Sequence, residues 1–226
     1  MKPYSPLIRG FLRCLSLILV LSHQAMAEPS NLGLLKQKIH SYHNSGRYQK
    51  ELQQVVNQAE NYIVRQAVAN QHKKSQQKLA LVLDIDETSL SNYRNIVDHD
   101  FAGDPKSIYK HMLAADDPAI GPTLALYNSA LHHGIKIFFI TGRPLSLRDA
   151  TVLNLKNAGF KNWSGIYMRP EHYHSKSIIP FKSQSRAAIT QKGYTIIASI
   201  GDQYSDIKGG YAQKGFKLPN PFYYLP

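Results

Sequence analysis

An apolar run from Leu79 to Ile85 carries two aspartates at its carboxyl end, in Leu81-Val-Leu-Asp84-Ile-Asp86-Glu-Thr88, and few folds can hold such a sequence. A run of this kind reads as a buried strand of a parallel sheet. Asp84 and Asp86 then emerge two residues apart at the strand's end. Burying one charge is costly and two like charges repel, so a cation or a shared proton is required. The pair suits a carboxylate nucleophile beside a carboxyl acid/base, with a divalent metal between them and a phosphate. Asp-x-Asp-x-Thr also opens an EF-hand loop, but that loop needs Gly at its sixth position and Glu at its twelfth. Ser89 and Asn95 stand there instead, and the calcium loop is excluded.

The chain's beginning predicts export. Lys2, Arg9 and Arg13 form a basic start, Leu15 to Leu21 an apolar centre and Ala25-Met26-Ala27 a small-residue cleavage site. Residues 1–27 are therefore expected to be a signal peptide and residues 28–226 the mature domain, periplasmic or secreted, with no stable membrane anchor after cleavage. The apolar centre is too short to span a bilayer. Cys14 is the only cysteine and lies within that segment, so the mature chain has no thiol to pair or to bind metal. Cleavage removes three basic residues and no acidic one from a net charge of +12. The remaining Lys and Arg residues are scattered rather than clustered with aromatic platforms, which argues against a nucleic-acid polymer as partner.

Residues 30 to 77 read as two helices separated by Gly46; Leu52, Val55, Val56, Ala59, Tyr62, Ile63 and Ala67 follow the spacing of one apolar face. That face is too short for a coiled coil and predicts a layer covering the sheet. After the first strand, helix, Gly and strand recur three times. The units are Thr123–His133, Gly134, Ile135–Ile140; Ser146–Ala158, Gly159, a strand near Ile166–Met168; and Ser183–Lys192, Gly193, Tyr194–Ile200. Each Gly falls where a helix needs a left-handed residue to stop. The alternation predicts an α/β fold, a doubly wound parallel sheet with right-handed crossovers. Residues 89 to 120 break the alternation and predict a small cap inserted after the first strand, poised above the site. Its Phe101 and Tyr109, with Tyr93, offer rings on which a nucleobase can stack, making nucleoside monophosphates one candidate substrate.

In such sheets ligands bind beyond the carboxyl ends of the strands. The second strand ends in Thr141-Gly142-Arg143-Pro144, where a hydroxyl and an amide can donate to a phosphoryl oxygen; an ordinary turn has the same sequence. The last strand ends in Gly201-Asp202-Gln-Tyr-Ser-Asp206. Asp202 and Asp206 can complete a magnesium site of hard oxygens, or serve as helix-start carboxylates. Lys182 opens the helix before the last strand and can balance phosphate charge, with Lys176 as the runner-up. His172 and His174 lack a third histidine nearby and are set aside as ligands.

Asp84-x-Asp86-x-Thr88, Thr141, Lys182 and Gly201-Asp202-x-x-x-Asp206, in that order, resemble the four motifs of the haloacid dehalogenase-like superfamily. Within it the chain is similar to exported acid phosphatases of the class B/C type. Asp84-Ile-Asp-Glu-Thr, Gly201-Asp-Gln-Tyr-Ser-Asp and the tail Lys217-Leu-Pro-Asn-Pro-Phe-Tyr-Tyr resemble the plant acid phosphatase and vegetative storage protein branch. The departures, Ser89 after the motif threonine and the spacing of Tyr93, bear on the substrate pocket. The resemblance implies hydrolysis of a small phosphate monoester. Asp84 would be the nucleophile and Asp86 the acid/base, with Lys182, Thr141, Gly142 and Arg143 toward the phosphate and Tyr93 toward the substrate. Mg²⁺ would be held by Asp84, the Asp86 carbonyl, Asp202 and Asp206, the last through water or by holding Lys182; Thr88 would buttress the loop. An acid Asp86 must start protonated, so activity is expected on the acidic side. The branch also includes members without the nucleophile, so a non-catalytic storage or ligand-binding protein on the same fold is the alternative.

Overall fold

The computed structural model describes residues 28–225. The expected signal segment therefore lies outside the described residues. In chain order the elements are α1 (Leu32–Asn44), α2 (Arg47–Gln71), β1 (Lys78–Leu83), α3 (Tyr93–Asp98), α4 (Pro105–Ala114), α5 (Gly121–His132) and β2 (Lys136–Pro144). Then come α6 (Arg148–Asn157), β3 (Gly165–Arg169), α7 (Ile179–Gln191), β4 (Tyr194–Gly201), α8 (Tyr204–Ile207) and β5 (Lys214–Lys217).

The five strands form one parallel sheet in the order β3-β2-β1-β4-β5. This is the doubly wound arrangement that the helix–Gly–strand repeats predict. Gly134, Gly159 and Gly193 close those helices at φ +73°, +98° and +84°, a region a side chain enters only under strain. The edge strand β5 was not expected. Its four residues follow Gly209 and Gly210 and are too few to show a period.

Alternation along β1 divides the core. Leu79, Leu81 and Leu83 enter one hydrophobic cluster, whereas Ala80 and Val82 enter another. The larger cluster takes Leu52, Val56, Ala59 and Ile63 from α2 and Leu126 and Tyr127 from α5. Spacings of three and four put those α2 residues on one stripe, and truncating a leucine such as Leu52 there costs roughly 2–5 kcal/mol. The smaller cluster is closed by α7 through Ile189. Among the described residues no helix is long and apolar enough to cross a membrane.

The chain runs outward from β1 through β2 to β3, then returns across to β4 on β1's other side. That reversal opens a crevice at the carboxyl ends of β1 and β4. The register pairs Leu83 with Ile200, and the Asp84 amide donates to the Ile200 carbonyl at 3.0 Å. Asp84 and Asp202 thus leave neighbouring strands at the same height. Residues 89 to 120, between β1 and α5, form α3, α4 and connecting turns, and their inner side chains overhang this crevice.

Candidate active site

Asp84, Asp202 and Asp206 each place a carboxylate oxygen within 4.8 Å of the others, and all three are buried. Burial pushes the Asp84 carboxyl well up, and the neighbouring Asp206 adds to the push. Lys182 opposes it. From the first turns of α7 its buried ammonium donates to Asp84 Oδ1 at 2.8 Å and to Asp206 Oδ1. Among the described residues the other Asp84 oxygen has no hydrogen-bond partner, and Asp84 faces a cavity of about 670 Å³. Lys176, by contrast, is exposed, so Lys182 is the lysine that reaches the rim.

Asp202 emerges from β4 already oriented. Its Oδ2 accepts from Gln203 Nε2 at 2.7 Å and Asn220 Nδ2 at 2.6 Å, and its Oδ1 from the Thr88 hydroxyl at 3.1 Å. Thr88 thus ties the β1 loop to the β4 loop and touches no cavity surface. Burial, then the charge of Asp206, raise the Asp202 pKa to about 6. Asp206 takes the helix-start role and also holds Lys182. One oxygen pairs with Lys182, while the other accepts the Gln203 amide at 2.8 Å in a helix-start capping box. Its side chain lies across Gly201 so closely that a Cβ there would meet Asp206 Cγ at 2.2 Å. Only glycine fits at that position.

Asp86 is partly exposed at the cavity, and Arg143 encloses it. Arg143 Nη2 donates to Asp86 Oδ1 at 2.7 Å and Nε at 3.0 Å, while Asn92 Nδ2 reaches the same oxygen at 2.7 Å. Burial raises this carboxyl, but Arg143 and Asn92 outweigh it and hold its pKa below the usual carboxylate range. Two expectations change. Arg143, expected to contact substrate, is almost wholly buried and committed to carboxylates of its own chain. Asp86, expected to start as an acid, is held as a carboxylate by that pairing.

Three further expectations can be placed. Gly142 lines the cavity, and its carbonyl accepts from Arg169 at 2.9 Å. Thr141 is buried and does not line the cavity; its Oγ accepts the Arg143 amide at 3.1 Å, which leaves its own proton free to donate. Tyr93 does not line the cavity either. Its ring stacks on His43 of α1 and packs against Phe222, because the α3 helix start turns it away from the site.

Sequence reasoning missed two groups of supporting residues. The first runs from Arg143 to Asp117, which accepts from Arg143 Nη2 at 3.3 Å and bonds His111 Nε2 of α4 at 2.6 Å. Asn154 of α6 pins the Asp117 backbone at both its amide and its carbonyl. The second surrounds Glu87, whose φ of +48° points it under the loop. Its carboxyl accepts the Asn92 amide at 2.6 Å and the Tyr223 hydroxyl at 3.1 Å, and burial raises its pKa to about 8. One signal was available for the tail, since prolines on both sides of Asn220 fix an extended backbone. For Asp117 nothing local marked it out from the other aspartates of the insertion.

The charges suggest what else the site holds. Among the described residues, the cations paired with the carboxyls of Asp84, Asp86, Asp202 and Asp206 are Lys182 and Arg143, and Arg143 is shared with Asp117, so acidic groups outnumber their paired cations. With all donors hard oxygens, the chemistry fits one divalent cation such as magnesium.

Comparisons with known proteins bear on the family and the fold. Residues 12–226 match the family model of HAD superfamily, subfamily IIIB (acid phosphatase). "Acid phosphatase 1" of Solanum lycopersicum is 38% identical over 148 residues, covering 64% of this chain and 58% of that protein. "Stem 31 kDa glycoprotein" of Glycine max is 36% identical over 149 residues, with 64% and 59% covered. "Vegetative storage protein 1" of Arabidopsis thaliana is 31% identical over 149 residues, with 64% and 55% covered. The chain therefore spans about three fifths of the length of these curated relatives. Among solved structures, the class C acid phosphatase of Bacillus anthracis superposes with a TM-score of 0.65 at 22% identity, covering 84% of this chain and 86% of that one. The shared fold is the doubly wound sheet described above.

Proposed function

Because the chain belongs to the HAD superfamily, subfamily IIIB (acid phosphatase) family, we propose that it hydrolyses small phosphate monoesters at the Asp84–Lys182–Asp202 cluster. One observation carries the reading above the rest: Asp84 faces the cavity with an unpartnered oxygen while Lys182 fixes the other. That oxygen attacks phosphorus, the phosphorus–ester oxygen bond breaks, and an aspartyl-phosphate forms on Asp84. The leaving oxygen takes a proton from Asp86, which later removes one from the water that releases phosphate. Lys182 and the Gly142 amide stabilise charge on the phosphoryl oxygens, while Thr141, buried behind the cavity surface, holds the Arg143 amide. Asp84, the Asp86 carbonyl and Asp202 would hold Mg²⁺, which supplies further positive charge to those oxygens when bound; Asp206 holds Lys182.

The Arg143 pairing moves the origin of the acid preference. Asp86 is ionised in the free site, so its proton must come when a phosphate group, itself negative, arrives beside it. A phosphate monoester loses its second proton near pH 6, roughly. Turnover is then expected to decline above that pH.

The nucleoside monophosphate reading keeps Phe101 and Tyr109 on the cavity wall but loses Tyr93. We further propose that residues 1–27 direct export to the periplasm or beyond the cell. The competing reading is a non-catalytic storage or ligand-binding protein, favoured by the similarity to vegetative storage proteins of Arabidopsis thaliana. Phosphate release from an aryl phosphate separates the two. The wild-type chain with Mg²⁺ should turn over best at acidic pH, chelation should abolish turnover, and Asp84→Asn should lower it by at least about 10⁴-fold. Undiminished release by a folded Asp84→Asn protein would falsify the nucleophile assignment.

A further inference from the structure

The cavity above Asp84 is built in two parts. At its floor stand Asp84, Asp86, Lys182 and Asp202, and its walls carry Ile96, Phe101, Ile108, Met112, Leu147 and Phe222. Polar side chains also line the walls, yet most are already spent. His99 bonds the Asn95 carbonyl at 2.9 Å and Ser107 Oγ at 2.7 Å through its two ring nitrogens. Gln203 donates to Asp202 and accepts from the Leu225 amide. Tyr223 donates to Glu87, and Arg143 is held by Asp86 and Asp117. Among the described residues, the side-chain wall groups left to greet a ligand are few: the Asn95 side chain, Asn92 Oδ1, the Tyr109 hydroxyl, one Arg169 nitrogen and His111 Nδ1, of which Asn92 Oδ1 is buried.

A leaving alcohol that carries many hydroxyls would enter this space by giving up water without gaining partners, which is costly for each group left unpaired. An apolar body gains from the same walls in proportion to the surface it buries. A volume of about 670 Å³ greatly exceeds what a phosphate needs and lies in the range of pockets that enclose whole organic ligands. From these observations we infer that the site selects phosphate monoesters of apolar alcohols, with the phosphate at Asp84 and Lys182 and the alkyl or aryl body between the inserted helices and the C-terminal tail. This rests on the phosphatase reading of the floor but assigns the leaving group, which that reading leaves open.

The test is a homologous series. For n-alkyl phosphates from ethyl to octyl, kcat/KM should rise about threefold with each added methylene until the wall is filled. Octyl phosphate should exceed glycerol phosphate, glucose 6-phosphate and adenosine monophosphate by at least about 100-fold. Met112→Asn and Ile108→Asn should flatten the slope. A slope near zero, or sugar or nucleoside phosphates as the better substrates, overturns the inference while leaving the phosphatase intact. Calorimetric binding of the matching n-alkylphosphonates reads the cavity without turnover. If they bind more tightly with chain length but no ester is hydrolysed, the apolar site stands and the catalytic reading falls. If their affinity ignores chain length, the inference fails whatever the turnover.

Discussion

The floor and the walls of this cavity are made in opposite ways. On the floor, the charged groups around the free Asp84 oxygen are held by partners drawn largely from distant parts of the chain: Asp202 by Thr88, Asn220 and the adjacent Gln203, Asp86 by Arg143, and Lys182 by Asp84 and Asp206. The walls rest on side chains from two short helices and a tail, several of them partly exposed. Charge stabilisation needs dipoles fixed in advance, because any reorganisation during reaction subtracts from the gain. An apolar contact is non-directional and tolerates slack. On the proposed reading, the fixed part decides whether reaction occurs, and the looser part decides which ester is offered to it.

Asp117 tests whether that division holds, since it joins the two parts. It sits between His111 on the α4 wall and Arg143, which orients Asp86. Asp117→Asn leaves the guanidinium with one carboxylate instead of two, so Arg143 is free to tilt and its full charge falls on Asp86. Proton delivery should suffer most. We expect kcat/KM to fall about 10²-fold for alkyl phosphates, whose alkoxides need a proton, and under about threefold for p-nitrophenyl phosphate, which leaves without one. Equal losses on both would make Asp117 a fold-holding residue, and the floor would end at Asp86.

Legibility follows the same division. The floor could be read from the chain because its carboxylates stand at strand ends, where an apolar run makes a charged residue conspicuous, and Lys182 opens the helix before β4. Asp84 and Asp202 stand out in that way, and helix-stopping glycines mark the alternation of helices and strands. Partners supplied across the fold had no such signal. Nothing in Thr141-Gly-Arg143 says that the guanidinium will turn inward to Asp86, since the Asp117 that shares it is an ordinary acidic residue of an irregular segment. Tyr93 misled for a related reason: an aromatic in an insertion is visible, but the direction of its ring depends on α1, a remote element.

Asn220 offers a smaller effect that sharpens the claim of a preset floor. Its amide donates to Asp202 Oδ2 from a tail eighteen residues downstream. Asn220→Ala removes one of three donors to Asp202, together with the acceptor of the Phe222 amide at 2.8 Å, and leaves every apolar wall side chain in place. Mg²⁺ affinity, measured by titrating activity or by calorimetry, should weaken about 10-fold, the lower end for losing a partner of a metal ligand. KM for octyl phosphate at saturating Mg²⁺ should stay within about twofold. A change in KM with metal affinity intact would make Asn220 a support of the Phe222 wall and not of the floor.

Glu87 gives the smallest expected effect and shows what the fixed floor costs. It is fully buried beneath the loop, in a left-handed conformation, beside Asp86 and Asp202. Its pKa near 8 in the folded chain compares with about 4.3 when unfolded. The folded state therefore binds the extra proton, so stability from this group is fully present below pH 4, roughly, and is lost as pH rises toward 8. Glu87→Gln keeps an acceptor for the Asn92 amide and removes the titration. In chelated protein, the wild-type unfolding midpoint should fall between pH 5 and pH 8 by more than the variant's does. A difference on the order of 1 kcal/mol corresponds to roughly 2–4 °C in a domain of this size. Asp202, raised to about 6, titrates with the same sign in both proteins and cancels from the difference. Parallel curves would mean that Glu87 stays ionised through its bonds to Asn92 and Tyr223, and the floor would then hold one more fixed negative charge that only a bound cation could balance.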